Sequence, residues 1–229
     1  MNAPQQDTSG RMLVWDLPTR AMHWLLVMFI GICWWSGVEN ELQYHTYSGY
    51  GALWVVVLRL YWGVFGSSTA RFSNFVRGPK SILIYALSLH RRNTPHSFGH
   101  NPLGAVRVVL MLGTVLAVAG IGLFAVDVDG LYSGPLSGFV TFRQGRHLAH
   151  LHYSAFEFLL CVIALHVAAV AFYHIYKRHN LFWPMIAGRR RSTLTASETL
   201  KAVPLWRLLP GVIVAAGVVW LADNLFSYW

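Results

Sequence analysis

His152 and His166 stand fourteen residues apart in LHYSAFEFLLCVIALH, residues 151–166, a run otherwise apolar enough to cross a membrane. Fourteen residues is close to four turns of α-helix. The two side chains therefore leave the helix within about 40° of one another, roughly 21 Å apart along its axis. A neutral imidazole ligates a metal through one ring nitrogen, without the deprotonation that a thiolate or carboxylate needs. Two such groups at two depths suit two stacked sites, provided that other helices supply a partner at each depth. His23 and His45 are the histidines placed to do so.

The elements that must position them follow from composition. Of 229 residues 55% are hydrophobic and only 12% charged, with a mean hydropathy of +0.44. Soluble domains carry about 25% charged residues, so this chain is built for lipid. Windows long enough to span occur at about 21–38, 47–66, 104–126, 150–176 and 207–226. Trp34, Trp35, Trp220 and Trp229 sit near their ends, where interfacial aromatic belts form. With the N-terminus in the cytoplasm, the inner segments hold Arg11, Arg20, Arg71, Arg77, Lys80, Arg91, Arg92, Lys177, Arg178, Arg189, Arg190, Arg191, Lys201 and Arg207. The outer segments hold only Arg143 and Arg146. That asymmetry fixes a cytoplasmic N-terminus and a periplasmic C-terminus, and it accounts for the net charge of +9 without nucleic acid. Residues 1–12 lack the apolar core of a signal peptide, so the first run is expected to stay as a helix. The mixed basic and bulky apolar stretch 70–92 suits an interfacial helix on the inner leaflet.

This topology assigns depth. His23 lies near the inner end of the first span, His45 at the outer start of the second, and the fourth span carries His152 outside and His166 inside. The expected pairs are His23 with His166 and His45 with His152. Two histidine pairs at two depths match two bis-histidine b-type haems, whose six-coordinate iron leaves no open position and transfers electrons only. On the fourth span His150 is turned about 160° from His166 and His147 about 100°, while His174 lies near the inner surface about 80° away. His90, His96, His100 and His179 fall in cytoplasmic segments. Arg59 and Arg107, toward the inner ends of spans two and three, either snorkel to headgroups or pair with haem propionates, which a guanidinium fork fits well.

VWDLPTRAMHW, RLYWGVFGSSTARFSNFVRGP, GHNPLG and LHYSAFEFLLCVIALHVAAVAFY, in this order, resemble the prokaryotic cytochrome b561 family, itself similar to the b-type cytochrome subunit of nickel-iron hydrogenases. The resemblance covers about residues 13–188. It implies a four-helix transmembrane bundle with two b haems, with His23, His45, His152 and His166 as the axial ligands. The fifth span departs from that pattern. The expected architecture is thus an all-α integral membrane protein: a dihaem bundle over 1–188, then a basic linker and an extra helix over 189–229.

The function expected is electron transfer in the bacterial inner membrane between quinone and a periplasmic redox partner such as a c-type cytochrome. The rivals are a stand-alone superoxide:quinone oxidoreductase, a membrane anchor of a hydrogenase-like complex, and a transporter with a histidine proton or metal relay. No inverted repeat supports the last. There is no flavin or nicotinamide fingerprint. Cys33 and Cys161 read as apolar fillers, and the small residues Gly113, Ala117, Gly120 and Gly122 as a packing face on span three. Glu157 points away from the inner haem, toward span three, span five or a partner, as a structural carboxyl or a quinol proton acceptor. Gly211, Ala215, Ala216 and Gly217 make span five a candidate for assembly with a neighbour or a second copy.

Overall fold

The computed structural model describes residues 11–88, 101–130, 132–191 and 200–225; His90, His96, His100, Arg91, Arg92, Phe226, Tyr228 and Trp229 lie outside these. The fold is all-α and integral to the membrane. Among the described residues five helices are long and apolar enough to span: α1 (Leu17–Val38), α2 (Leu42–Phe65), α5 (Pro102–Gly122), α6 (Phe142–Ile175) and α8 (Leu208–Asn224), the last extended back to Leu205 by one 3-10 turn. Between them lie the short helices α3 (Phe72–Phe75), α4 (Pro79–Leu87) and α7 (Phe182–Ala187). Two three-residue strands, β1 (Arg11–Leu13) and β2 (Arg189–Arg191), pair antiparallel with Arg11 opposite Arg191 and Leu13 opposite Arg189.

Apolar runs locate the helices, but capping groups set where they begin. In α1 the Asp16 carboxylate accepts from the Thr19 amide at 2.9 Å, with Leu17 and Pro18 in the first turn, so the helix starts four residues before the apolar window. At α5 Asn101 plays the same part for the Gly104 amide at 2.7 Å, followed by Pro102. At α6, Thr141 and Gln144 cap one another: the Thr141 amide donates to Gln144 Oε1, and the Gln144 amide to Thr141 Oγ1. This reciprocal box starts α6 eight residues before its apolar window, and its 34 residues extend roughly 51 Å against an apolar layer of about 30 Å. Between α1 and α2 only residues 39–41 intervene; Asn40 takes a left-handed φ of 59° and the Glu41 amide donates to Ser36 O.

Large apolar side chains face outward on the spans, as lipid requires. Leu165, Ile175 and Ile213 are 68%, 75% and 70% exposed, while α2 supplies much of the core through Ala52, Leu53, Val55, Val56, Leu58 and Trp62. None of α4 is buried; Leu83, Ile84 and Leu87 lie exposed on the helix that also carries Lys80.

The chain divides into two compact units. One comprises Met1–Ala21, Tyr61–Val109 and Ala164–Arg207. Within it the N-terminal segment is clamped onto the chain after α7. The Val14 and Trp15 amides both donate to Gly188 O, and Arg20 donates to Ile186 O. Gly188 sits at φ 77°, where a Cβ would stand 3.0 Å from Trp15 O and 3.1 Å from the Arg20 guanidinium. Buried Asp16 closes the clamp by accepting from Trp62 Nε1 at 2.8 Å.

The other unit comprises Met22–Leu60, Leu110–Ile163 and Leu208–Trp229. Here the small residues of α8 are spent inside the chain. Gly211, Ala215 and Ala222 are buried along one stripe, and Tyr50 of α2 donates to Asp223 at 2.9 Å. Half of the small-residue face expected to meet a neighbour is therefore turned inward, because a buried Gly/Ala stripe lets α8 close on its own bundle.

Asp16 serves two helices with one carboxylate. Asp16→Ala is expected to cost about 2–4 kcal/mol, by loss of the cap and by leaving the Trp62 indole N–H unpaired, while Asp16→Asn keeps most of that. Thermal unfolding in mild detergent checks it: an Ala variant as stable as the parent would contradict the double role.

Candidate histidine site

His45, in the first turn of α2, and His152 of α6 are brought together with ring centroids 5.9 Å apart and planes inclined at 79°. Each ring is held from behind by a backbone carbonyl of a neighbouring helix. His45 Nδ1 lies 2.9 Å from Cys33 O of α1, and His152 Nδ1 lies 2.9 Å from Val118 O of α5. A carbonyl only accepts, so in each ring Nδ1 must carry the proton. The lone pair is then on Nε2, the tautomer a metal ligand needs, with its orientation fixed by the second hydrogen bond.

Those carbonyls are reachable for a reason written in the sequence. In an α-helix the carbonyl of residue i normally receives the amide of i+4, and the residue at i+4 covers it. Four residues beyond Cys33 is Gly37, and four beyond Val118 is Gly122. A Cβ on Gly37 would lie 3.4 Å from His45 Nδ1; one on Gly122 would lie 2.9 Å from His152 Cε1 and 3.0 Å from its Nδ1. A glycine thus stands one turn beyond each carbonyl; at Gly122 a side chain would crowd the ring, making it a seat for His152 beyond its expected part in packing, whereas at Gly37 a Cβ would meet His45 at ordinary contact distance.

Smaller contacts seat α2 on α1 beside His45. Cys33 Sγ lies 3.1 Å from Ser48 Oγ, and Gly51 packs against the Phe29 ring closely enough that a Cβ would stand 2.5 Å from it. Cys33 is thus a polar contact rather than an apolar filler, and Cys161 is exposed rather than packed.

The remaining expected positions are distributed as follows. His23 is half-buried on α1, edge-on to Trp24 at 5.0 Å. His166 is half-buried on α6. They fall in different compact units, and each is placed here on its own helix only. Arg59 is buried at 6% exposure on α2, fourteen residues after His45 as His166 is after His152. Arg107 is half-buried on α5. His147, His150 and His174 are exposed, and His179 is half-buried. Glu157 is exposed.

A family model described as prokaryotic cytochrome b561 matches residues 14–188, about three-quarters of the chain and all four histidines. The chain belongs to the prokaryotic cytochrome b561 family. No curated protein and no solved structure matches it. As a cytochrome b561 it is a multi-pass membrane protein of electron transfer that binds haem b.

The His45–His152 pair fits such a group. With their rings 5.9 Å apart and each Nε2 left as the lone-pair donor, the two imidazoles would hold a haem iron between them. Among the described residues no cluster of three or more His, Cys, Asp or Glu converges.

Gly122→Val is expected to push His152 off the Val118 carbonyl and lower the haem-to-protein ratio, whereas Gly113→Ala, with nothing within 4 Å of its Cβ, leaves it unchanged. Equal haem content in both purified variants would show that the glycine seat does not matter.

Proposed function

We propose that this cytochrome b561 holds two b haems, one between His45 and His152 and one between His23 and His166, and carries electrons between membrane quinone and a periplasmic redox partner such as a c-type cytochrome. The observation that carries this reading is the paired hydrogen bonding of His45 and His152, each with its Nδ1 proton given to a carbonyl and its Nε2 lone pair kept for a metal. The second pair follows from helix phase: His166 repeats His152 after fourteen residues, within about 40° on α6. His23 is the candidate partner at that depth.

The chain's own residues do two things. The Cys33 and Val118 carbonyls hold the two imidazoles in one tautomer, so that each Nε2 lone pair would be free to hold the haem iron. Arg59, buried in an apolar span, and Arg107 suit the propionates, since a guanidinium is planar, always charged and forked like a carboxylate. When bound, a bis-histidine haem supplies one-electron transfer without an open coordination position.

Residues 1–188 form the haem-binding part, and the basic stretch after Gly188 with α8 is an addition to it. The basic residues of the N-terminal segment, the α2–α5 connection and the α6–α8 connection support a bacterial inner-membrane topology with these segments in the cytoplasm and the C-terminus in the periplasm.

The pyridine haemochrome of the purified protein should give two b haems per chain with a low-spin spectrum. His152→Ala and His166→Ala should each remove one. One haem in the unaltered protein would overturn the two-site reading.

A further inference from the structure

The β1–β2 ribbon concentrates positive charge. Four of its six residues are arginine: Arg11, Arg189, Arg190 and Arg191. Its register sets Arg11 directly opposite Arg191 and Leu13 opposite Arg189, which strand alternation places on one face, while Met12 and Arg190 share the other. Met12 is buried and Arg189 exposed, so the face of Arg11, Arg189 and Arg191 is the outer one. Like charges directly opposite one another oppose pairing. The strands are held together from their root instead, where the Val14 and Trp15 amides donate to Gly188 O and the Arg20 guanidinium donates to Ile186 O.

Beside the ribbon stands an apolar surface. The short helix α7 buries Pro184, and Gly188 after it is buried too, while Phe182, Trp183 and Ile186 are exposed. Exposed apolar residues thus run from Ile175, at the end of the span α6, onto α7 and stop at the arginines of β2.

We propose that the arginine face of the ribbon and the exposed side of α7 bind anionic phospholipid, the ribbon taking the headgroup phosphate and Phe182, Trp183 and Ile186 the acyl chains. A guanidinium offers a planar pair of donors that matches two phosphate oxygens, and one anion shared among several relieves the repulsion that the register imposes. Aromatic and aliphatic side chains next to cations suit the boundary between headgroups and acyl chains. An acidic segment of another protein would satisfy the arginines but has no need of Trp183 and its apolar neighbours. The clamp onto Gly188 then does more than tie down the N-terminal segment, because it brings Arg11 to the arginines of β2.

The test is lipid selectivity. The full-length, haem-loaded protein is reconstituted into phosphatidylcholine vesicles, and electron paramagnetic resonance of spin-labelled phosphatidylglycerol or phosphatidylcholine reads how strongly the protein holds each. The parent should hold the anionic lipid about threefold more strongly than the zwitterionic one, a preference that screening by about 0.5 M salt largely removes. R189Q with R191Q should bring the preference to near parity with the haem spectrum unchanged, whereas R189K with R191K keeps most of it. R77Q with K80Q, which removes the same charge in and before α4, should also keep most of it. If the double glutamine variant fails to fold, Arg11→Gln on the other strand carries the same test and should lower the preference. Parity in the parent would overturn the proposal and leave the ribbon to an acidic protein segment. Parental preference in the folded ribbon variants would overturn it, and so would an equal loss from the α4 variant.

Discussion

The arrangement of the four spans α1, α2, α5 and α6 turns on one repeated interaction: an imidazole Nδ1–H donating to a helix carbonyl that a glycine leaves uncovered. In lipid a histidine cannot rely on water to orient its ring or satisfy its second nitrogen. The carbonyls of Cys33 and Val118 do both, at 2.9 Å each, and so join α2 to α1 and α6 to α5 through the groups that face one another. A side chain at Gly122 would stand within 3 Å of the His152 ring, so the constraint is steric as well as electrostatic. Ring orientation and helix packing are here the same contact.

Around that contact the chain inverts the usual soluble plan. Many of its large apolar residues lie outside, and several polar side chains within it lie in hydrogen-bonded sets: Asp16 with Thr19 and Trp62, Cys33 with Ser48, and Tyr173 with Tyr85 and Asn101. Each set joins different elements. Such bonds gain worth where no water competes, and an unmade one is costly. The polar sets thus specify which helix faces meet, a task that featureless apolar packing performs poorly. The clamp between the N-terminal segment and Gly188 does this at the boundary where the family match ends.

Much of this was legible in the residues. Helix periodicity alone links His152 to His166 and sets His150 and His147 aside, because angle per residue is fixed by backbone geometry. The five spans follow from the length of apolar runs. The helix ends did not follow, since hydropathy falls off before a helix does; the caps at Asp16, Asn101 and Thr141 were present in the sequence as ordinary polar residues flanking each run. Gly37 and Gly122 were hidden for another reason. A glycine in a membrane helix reads equally well as close packing, and only the position of a ring from a different helix reveals that it uncovers a carbonyl. The inward turn of Gly211, Ala215 and Ala222 on α8 was hidden in the same way, since a small-residue stripe does not say whether its partner is the same chain or another.

The inclination of the His45 and His152 rings carries a spectroscopic consequence independent of haem count. Axial imidazoles with nearly perpendicular planes donate equally to both iron dπ orbitals and leave them almost degenerate; parallel planes split them. Electron paramagnetic resonance of the oxidised protein at cryogenic temperature reads that splitting. With planes at 79°, the haem lost on His152→Ala should give a highly anisotropic low-spin ferric signal with one dominant low-field feature. A well-split rhombic low-spin signal for that haem, or a high-spin signal, would contradict the claim that the two carbonyl-held imidazoles are its axial ligands.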